Sequence, residues 1–103
     1  MIVVRFKATC THELSEAMAD ALRELVKSAR QLMGVEHFDV ARDLTNEHAF
    51  IATEVFRDRD VMAAEESLPE VARVAELMRG GALAAPPEWT IFEIASSESP
   101  SFA

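Results

Sequence analysis

The stretch GVEHFDVARDLTNEHAFIATEVFRD, residues 34–58, decides the fold of this chain. It contains two runs that are rich in β-branched and aromatic residues, 35–42 and 48–57, and such runs are typical of β-strands. Only the five residues Asp43-Leu44-Thr45-Asn46-Glu47 lie between them. Because so short and polar a connection usually joins antiparallel neighbours, the stretch predicts a β-hairpin.

One residue of the second run is unusual for an apolar strand. Glu54 lies between Ala52 and Phe56 on one strand face, and a carboxylate is costly to bury unless it is paired or protonated. It could form a structural ion pair with Arg5 or Lys7 on the neighbouring first strand, which is the slightly favoured interpretation. It could also act in a pocket as an acid or base. The two roles are compatible.

The residues before the hairpin predict one strand and one helix. Ile2–Thr9 is rich in β-branched and aromatic residues, as strands are. Thr11 is expected to cap a helix that ends at Gly34. Apolar residues at helical spacing give this helix one buried face, namely Leu14, Met18, Ala21, Leu22, Leu25, Val26, Ala29 and Met33.

The residues after the hairpin predict a broken helix and a last strand. Asp58 is expected to cap the helix, and Pro69 predicts a break near Ser67 and Leu68 because proline cannot donate a backbone hydrogen bond. Residues 89–95 are expected to form the strand. The apolar stripe of the helix consists of Val61, Ala64, Leu68, Val71, Ala72, Ala75 and Met78.

This order of elements predicts an α+β domain with the ferredoxin-like βαββαβ arrangement: a four-stranded antiparallel sheet with the helices on one face. The domain is expected to span residues 1–95, followed by a mobile, Ser-rich tail at 96–103. The strands carry apolar residues on both faces, and two helices cover only one face. We therefore expect a homodimer in which the sheets of two copies pack together.

Composition narrows the classes of partner and compartment. The chain has 103 residues, half of them apolar, and a net charge of −8, which fits a single globular domain. The acidic balance argues against nucleic-acid and membrane partners, since both require clustered Lys and Arg. Cys10 is the single cysteine, and the sequence opens directly as a strand. These features predict a protein of the reducing cytoplasm.

The hairpin resembles the antibiotic biosynthesis monooxygenase family of dimeric α/β-barrel proteins. The likeness rests on Gly34 at the start of strand two, and on Glu54 followed by Phe56 and then by Asp58 at a helix start. It spans residues 1–95. The resemblance implies a dimeric α/β barrel with a pocket between sheet and helices. For many members it also implies cofactor-independent oxygenation of a small aromatic, phenolic or quinol compound.

The sequence departs from the family pattern in several places. Phe56 stands where Trp is common and Phe38 where Tyr is common, while Glu65 and Glu70 align with two histidine positions. Without those histidines, haem degradation, which other relatives perform, is not expected. A non-catalytic dimeric ligand-binding or regulatory domain remains an alternative. A second alternative is an isomerase or lyase that needs no O2.

The candidate catalytic residues are Glu54, Glu65 and Arg5, and Phe56 and His37 are expected to line a pocket for a small apolar or aromatic ligand. Glu65 lies at the edge of the apolar stripe of the second helix, where it either acts as a base or, more commonly, reaches water. His37 is either a proton shuttle or exposed. No two histidines have the spacing of metal ligands, so neither a metal nor another cofactor is expected.

Overall fold

The structure, a computed structural model, describes residues 1–102. Within them four strands form one antiparallel sheet in the order β2-β3-β1-β4, and the predicted βαββαβ fold is confirmed. No helix of this part of the chain is long and apolar enough to cross a bilayer. The elements are β1 (Ile2–Thr9), α1 (Ser15–Ala29), β2 (Val35–Asp43), β3 (Asn46–Phe56), α2 (Arg59–Glu66), α3 (Pro69–Leu77), a π-helical turn (Met78–Ala82) and β4 (Glu88–Glu93).

The predicted hairpin is formed by β2 and β3, whose register pairs Phe38 with Glu54. Its turn is stabilised by Asp43, whose Oδ1 accepts hydrogen bonds from the backbone N–H and the hydroxyl of Thr45, at 2.8 and 2.7 Å. Such local bonds are the reason that Asp is favoured in turns. Both strands differ from the predicted bounds by one or two residues.

The predicted ends of the first helix are wrong. Thr11 does not cap α1, because the helix begins at Ser15 and the Thr11 hydroxyl makes no hydrogen bond to the described residues. The backbone N–H of Thr11 donates to the carbonyl of Ala82 at 2.8 Å and holds the chain beside the end of the π-helical turn. At the other end α1 stops at Ala29, and Met33 is 86% exposed. Gly34 instead begins the path into β2 with a positive φ of 91°.

Gly34 is required for a second reason, which is its close approach to α2. A Cβ atom at this position would lie 2.6 Å from Cγ2 of Val61. The backbone carbonyl of Gly34 also accepts a hydrogen bond from the N–H of Arg57 at 2.8 Å. This contact joins the start of β2 to the end of β3 and to the helix that follows.

The second helical segment is capped and broken as predicted. Oδ1 of Asp58 accepts a hydrogen bond from the N–H of Val61 at 3.0 Å, which satisfies one of the free donors at the start of α2. The helix is interrupted after Glu66, and Pro69 occupies the first turn of α3. Proline is tolerated there because the first N–H groups of a helix have no partner within it.

The two faces of the sheet differ in what covers them. Alternate residues of β1, from Ile2 to Ala8, are buried under the helices. The intervening residues Val3, Arg5, Lys7 and Thr9, together with their register partners, form what we call the open face. The structure therefore leaves one whole side of the sheet without helices.

The last strand is shorter than predicted and lies at an edge of the sheet. It ends at Glu93 rather than at residue 95, and Trp89 on β4 is 55% exposed although it lies on the same sheet face as Phe6. Residues 96–102 are exposed and have no regular secondary structure. The mobility of this tail stays a prediction, and Ala103 lies outside the described residues.

Candidate functional site

An apolar cavity of about 130 Å³ lies between the sheet and the helices. Trp89 of β4 stands at its edge, with its ring 5.0 Å from that of Phe6 in an edge-to-face contact. Every strand and each of the helices α1, α2 and α3 contributes to the wall. The other apolar residues of the lining are Val4, Leu22, Leu25, Phe38, Val40, Ala52, Met62, Val71, Val74, Ala75 and Met78.

The remaining lining residues in the described chain are three glutamates, Glu54, Glu65 and Glu66. Glu54 points to the helices because its register partners, Val4 and Phe38, are themselves buried on that side. Glu65 lies one turn after Val61 on the inward side of α2. Glu54 and Glu65, 8% and 5% exposed, form what we call the carboxyl pair, whereas Glu66 is exposed.

Burial dominates the electrostatics of the carboxyl pair. Burial and, to a smaller extent, the neighbouring carboxyls of Glu65 and Glu66 together raise the pKa of Glu54 to about 8. Burial also raises the pKa of Glu65 to about 7, against the opposing effect of a hydrogen bond with Glu54. The pair therefore retains a proton near neutral pH.

The favoured ion pair between Glu54 and Arg5 or Lys7 is wrong. Arg5 lies 3.9 Å from Glu88, and Nζ of Lys7 lies 3.2 Å from Asp43. Both cations are on the open face, because side chains alternate along a strand. Arg5 and Lys7 therefore point away from the helices, toward which Val4 and Phe6 point. The alternation itself is visible in the sequence. Glu54 shares a face with Ala52 and Phe56, whereas Arg5 lies on the face of β1 opposite to that of Phe6.

The structure brings together two of the five predicted site residues. Glu54 and Glu65 meet at the cavity, and their catalytic role stays a prediction. Arg5 and His37 lie on the open face, opposite Thr53 and Val55 in the register, so their predicted place in the pocket is wrong. Phe56 is fully buried on the helix side, but it packs against Phe38 at a ring distance of 6.4 Å and does not line the cavity.

A second polar cluster, which spacing along the sequence did not reveal, lies at the start of α1. Nδ1 of His12 is 3.3 Å from Nε2 of His48, whose Nδ1 is 2.9 Å from the hydroxyl of buried Ser15. These bonds tie the start of α1 to the start of β3. Among residues 1–102 no three His, Cys, Asp or Glu side chains are grouped so that they could hold a metal ion.

Solved structures share this fold at low sequence identity. A Deinococcus radiodurans protein provisionally assigned to the antibiotic biosynthesis monooxygenases is 18% identical, with a TM-score of 0.85 over 98% of this chain and 99% of that one. A Nitrosomonas europaea protein with the same provisional assignment is 19% identical, with a TM-score of 0.83 over 93% and 100%. A conserved protein of unknown function from Bacteroides thetaiotaomicron is 19% identical, with a TM-score of 0.78 over 90% and 96%.

The family assignment rests on the sequence. No curated protein matches the chain. The family model described as antibiotic biosynthesis monooxygenase matches residues 1–77, about three quarters of the chain. The matched residues run from β1 to the end of α3 and include both members of the carboxyl pair. The chain belongs to the antibiotic biosynthesis monooxygenase family.

Proposed function

We propose that this protein is a cofactor-independent monooxygenase that acts on a small aromatic, phenolic or quinol-type compound. The observation that carries the proposal is the carboxyl pair, which lies in an apolar cavity with no cation among the described lining residues. Two carboxyls with raised pKa values at such a place are suited to proton transfer near neutral pH. They would be costly as a purely structural feature.

The pair supplies both partners of an acid–base step. Ionised Glu65 accepts a proton from the substrate, and protonated Glu54 donates a hydrogen bond to the oxygen on which negative charge develops. The apolar wall keeps water away from the resulting anion. We assign the proton to Glu54 because its pKa, about 8, is higher than that of Glu65, about 7.

The electron-rich anion then reduces O2. One electron passes to O2, and the two radicals combine to form a peroxide at the substrate carbon. The peroxide takes up the proton that Glu65 removed, and loss of water then converts the ring C–H carbon to a C=O group, so that one oxygen atom enters the product and the other leaves as water. The substrate supplies all the electrons, and the protein has only to hold the substrate and move protons.

The size of the cavity limits the substrate. An apolar cavity of about 150 Å³ binds benzene, and the cavity here has about 130 Å³. It therefore fits a compound with one ring, while a larger compound would extend past Trp89 toward solvent. Single-ring hydroquinones and phenols are the appropriate first substrates.

Oxygen uptake by the full chain with a panel of such compounds tests the proposal. We expect turnover by the wild type and a loss of roughly 100-fold or more in kcat for Glu54→Gln and Glu65→Gln, because general acid–base catalysis contributes about 10²–10⁴-fold. Arg5→Met, on the open face, should retain activity. A wild type without turnover, or an unimpaired Glu54→Gln variant, would contradict the proposal.

The same assay separates the two alternatives. An acid–base pair does not itself require O2, so activity that persists without oxygen would indicate an isomerase or lyase. Thermal stabilisation by a ligand with no product would indicate a binding or regulatory domain.

A cytoplasmic location and the absence of nucleic-acid and membrane partners stay predictions from the sequence.

We also propose that the open face joins two copies of the chain in a homodimer. Val3, Ile51 and Val55 are half-buried there, and Phe92 is 48% exposed on the same face. Apolar patches of this kind often mark protein interfaces. Light scattering after size exclusion should show a dimer that Val55→Asp dissociates and Glu36→Gln leaves intact. A wild-type monomer at micromolar concentration would contradict this assembly.

A further inference from the structure

We propose that the ligand of the cavity carries a protonated amine on an apolar body the size of one ring. The inference goes beyond the proposed function and does not rest on it. Binding of the amine requires only the cavity and its carboxyl groups.

The polar chemistry of the cavity accepts hydrogen bonds and carries negative charge. In the described lining, carboxyl oxygens come from Glu54 on β3 and from Glu65 and Glu66 on α2, and β1, β2, β4, α1 and α3 contribute no ionisable side chain. Apart from the indole N–H of Trp89, no side chain of the lining is a permanent donor. A carboxylate or phosphate ligand would meet repulsion without a compensating partner.

One acceptor in this set has no partner. Oε2 of Glu65 is fully buried and makes no hydrogen bond among residues 1–102. Buried acceptors are normally paired, and an unpaired one indicates a missing partner. A protonated amine brings three donors and a hydroxyl only one. An amine can therefore reach this oxygen and Glu54 at the same time.

Charge and shape favour the same ligand. A cation can take the place of the proton that the pair holds near neutral pH, which a neutral donor cannot do. The wall contains the aromatic residues Phe6, Phe38 and Trp89, and aromatic rings attract cations. The net charge of −8 also draws cations toward the protein.

Calorimetric titration of the full chain with three ligands of similar shape tests the proposal. Benzylammonium, benzyl alcohol and benzoate differ mainly in charge and in the number of donors. At pH 7.5 we expect benzylammonium to bind about tenfold or more tightly than benzyl alcohol, and benzoate to give no binding heat. The cation should also displace the proton of the carboxyl pair, so that its binding heat depends on the ionisation enthalpy of the buffer.

Matched variants assign the effect to the pair. Glu65→Gln should weaken benzylammonium by about tenfold or more and leave benzyl alcohol within about threefold. Glu76→Gln removes the same charge from the exposed surface of α3 and should leave both affinities unchanged. If Glu65→Gln does not fold, the comparison of the three ligands on the wild type still decides the question.

The outcomes separate this inference from the proposed function. Equal binding of alcohol and amine, or measurable binding of benzoate, would overturn the amine proposal even if hydroquinones are oxidised. Tight binding of benzylammonium would support it even if no compound in the panel consumes O2, in which case the monooxygenase proposal alone fails.

Discussion

The two faces of the sheet shift the pKa of a carboxyl group in opposite directions. On the helix side, burial without a cation raises the pKa of Glu54 to about 8. Toward the open face, hydrogen bonds from Thr45 and the nearby Lys7 lower the pKa of Asp43 to about 2. The two residues lie in one hairpin, so the direction in which each side chain points decides its chemistry.

This difference in pKa indicates which side of the sheet can support proton transfer. Asp43 is held in its charged form by donors that the turn provides, and it contributes to stability. The carboxyl pair is held partly protonated by the apolar wall, which reduces stability above neutral pH and leaves a proton available for exchange. Natural proteins often keep such locally unfavourable groups where they act.

The largest expected effect contrasts two neighbours on β2. Phe38 is 1% exposed under the helices, whereas Asp39 forms an exposed ion pair with Arg30 at 2.9 Å. Phe38→Ala should lower the free energy of unfolding by about 3–5 kcal/mol, and Asp39→Ala by less than about 1 kcal/mol. Urea denaturation measures both. Equal decreases in the free energy of unfolding for the two variants would show that both faces are packed alike.

The second effect is the pH dependence of stability. Because the folded-state pKa values of the carboxyl pair lie above the usual value of 4.5, the folded state binds more protons, and stability should fall as pH rises from about 4.5 to 8. The double variant that combines Glu54→Gln with Glu65→Gln should not show this fall in stability. We expect the variant to be more stable than the wild type at pH 8.5 and similar to it at pH 5.

Urea titrations of both proteins across this pH range provide the measurement. Glu76→Gln, which changes an exposed carboxylate of α3, is the control and should follow the wild-type curve. Parallel curves for the double variant and the wild type would show that the two buried groups titrate normally.

The smallest effect concerns Asp43, and its sign is opposite. Its folded-state pKa is about 2, below the ordinary 3.8, so its stabilising contribution is complete above pH 4 and is lost as pH falls through 2. Asp43→Asn should melt at a lower temperature than the wild type at pH 6, and the difference should disappear near pH 2. Glu36→Gln, elsewhere on β2, should show no such convergence.

Local patterns predicted the fold well. Asp58, Pro69 and the short polar connection each act within a few residues of their own position, so their effects on capping, breaking and turning are readable from the sequence. The predicted role of Thr11 failed for the opposite reason. Its backbone N–H is bonded to Ala82, which lies far along the chain.

The site was predictable only in part. Glu54 is predictable as a site residue because it interrupts an apolar run, and Glu65 because it borders an apolar stripe. Their contact joins β3 to α2 and depends on the packing angle between them, which no local pattern encodes. Arg5 and Glu54 lie on neighbouring strands, but their side chains point to opposite faces of the sheet, so strand adjacency alone does not bring them together.

The proton held by Glu54 and Glu65 is the feature on which the proposed chemistry depends most directly. Carbon-detected NMR titration of the side-chain carboxyls, assigned with Glu54→Gln and Glu65→Gln, measures it without a substrate. We expect both carboxyl signals of the wild type to shift mainly above pH 6, with midpoints near 7 and 8. Midpoints for both groups near the ordinary value of 4.5 would contradict the central claim.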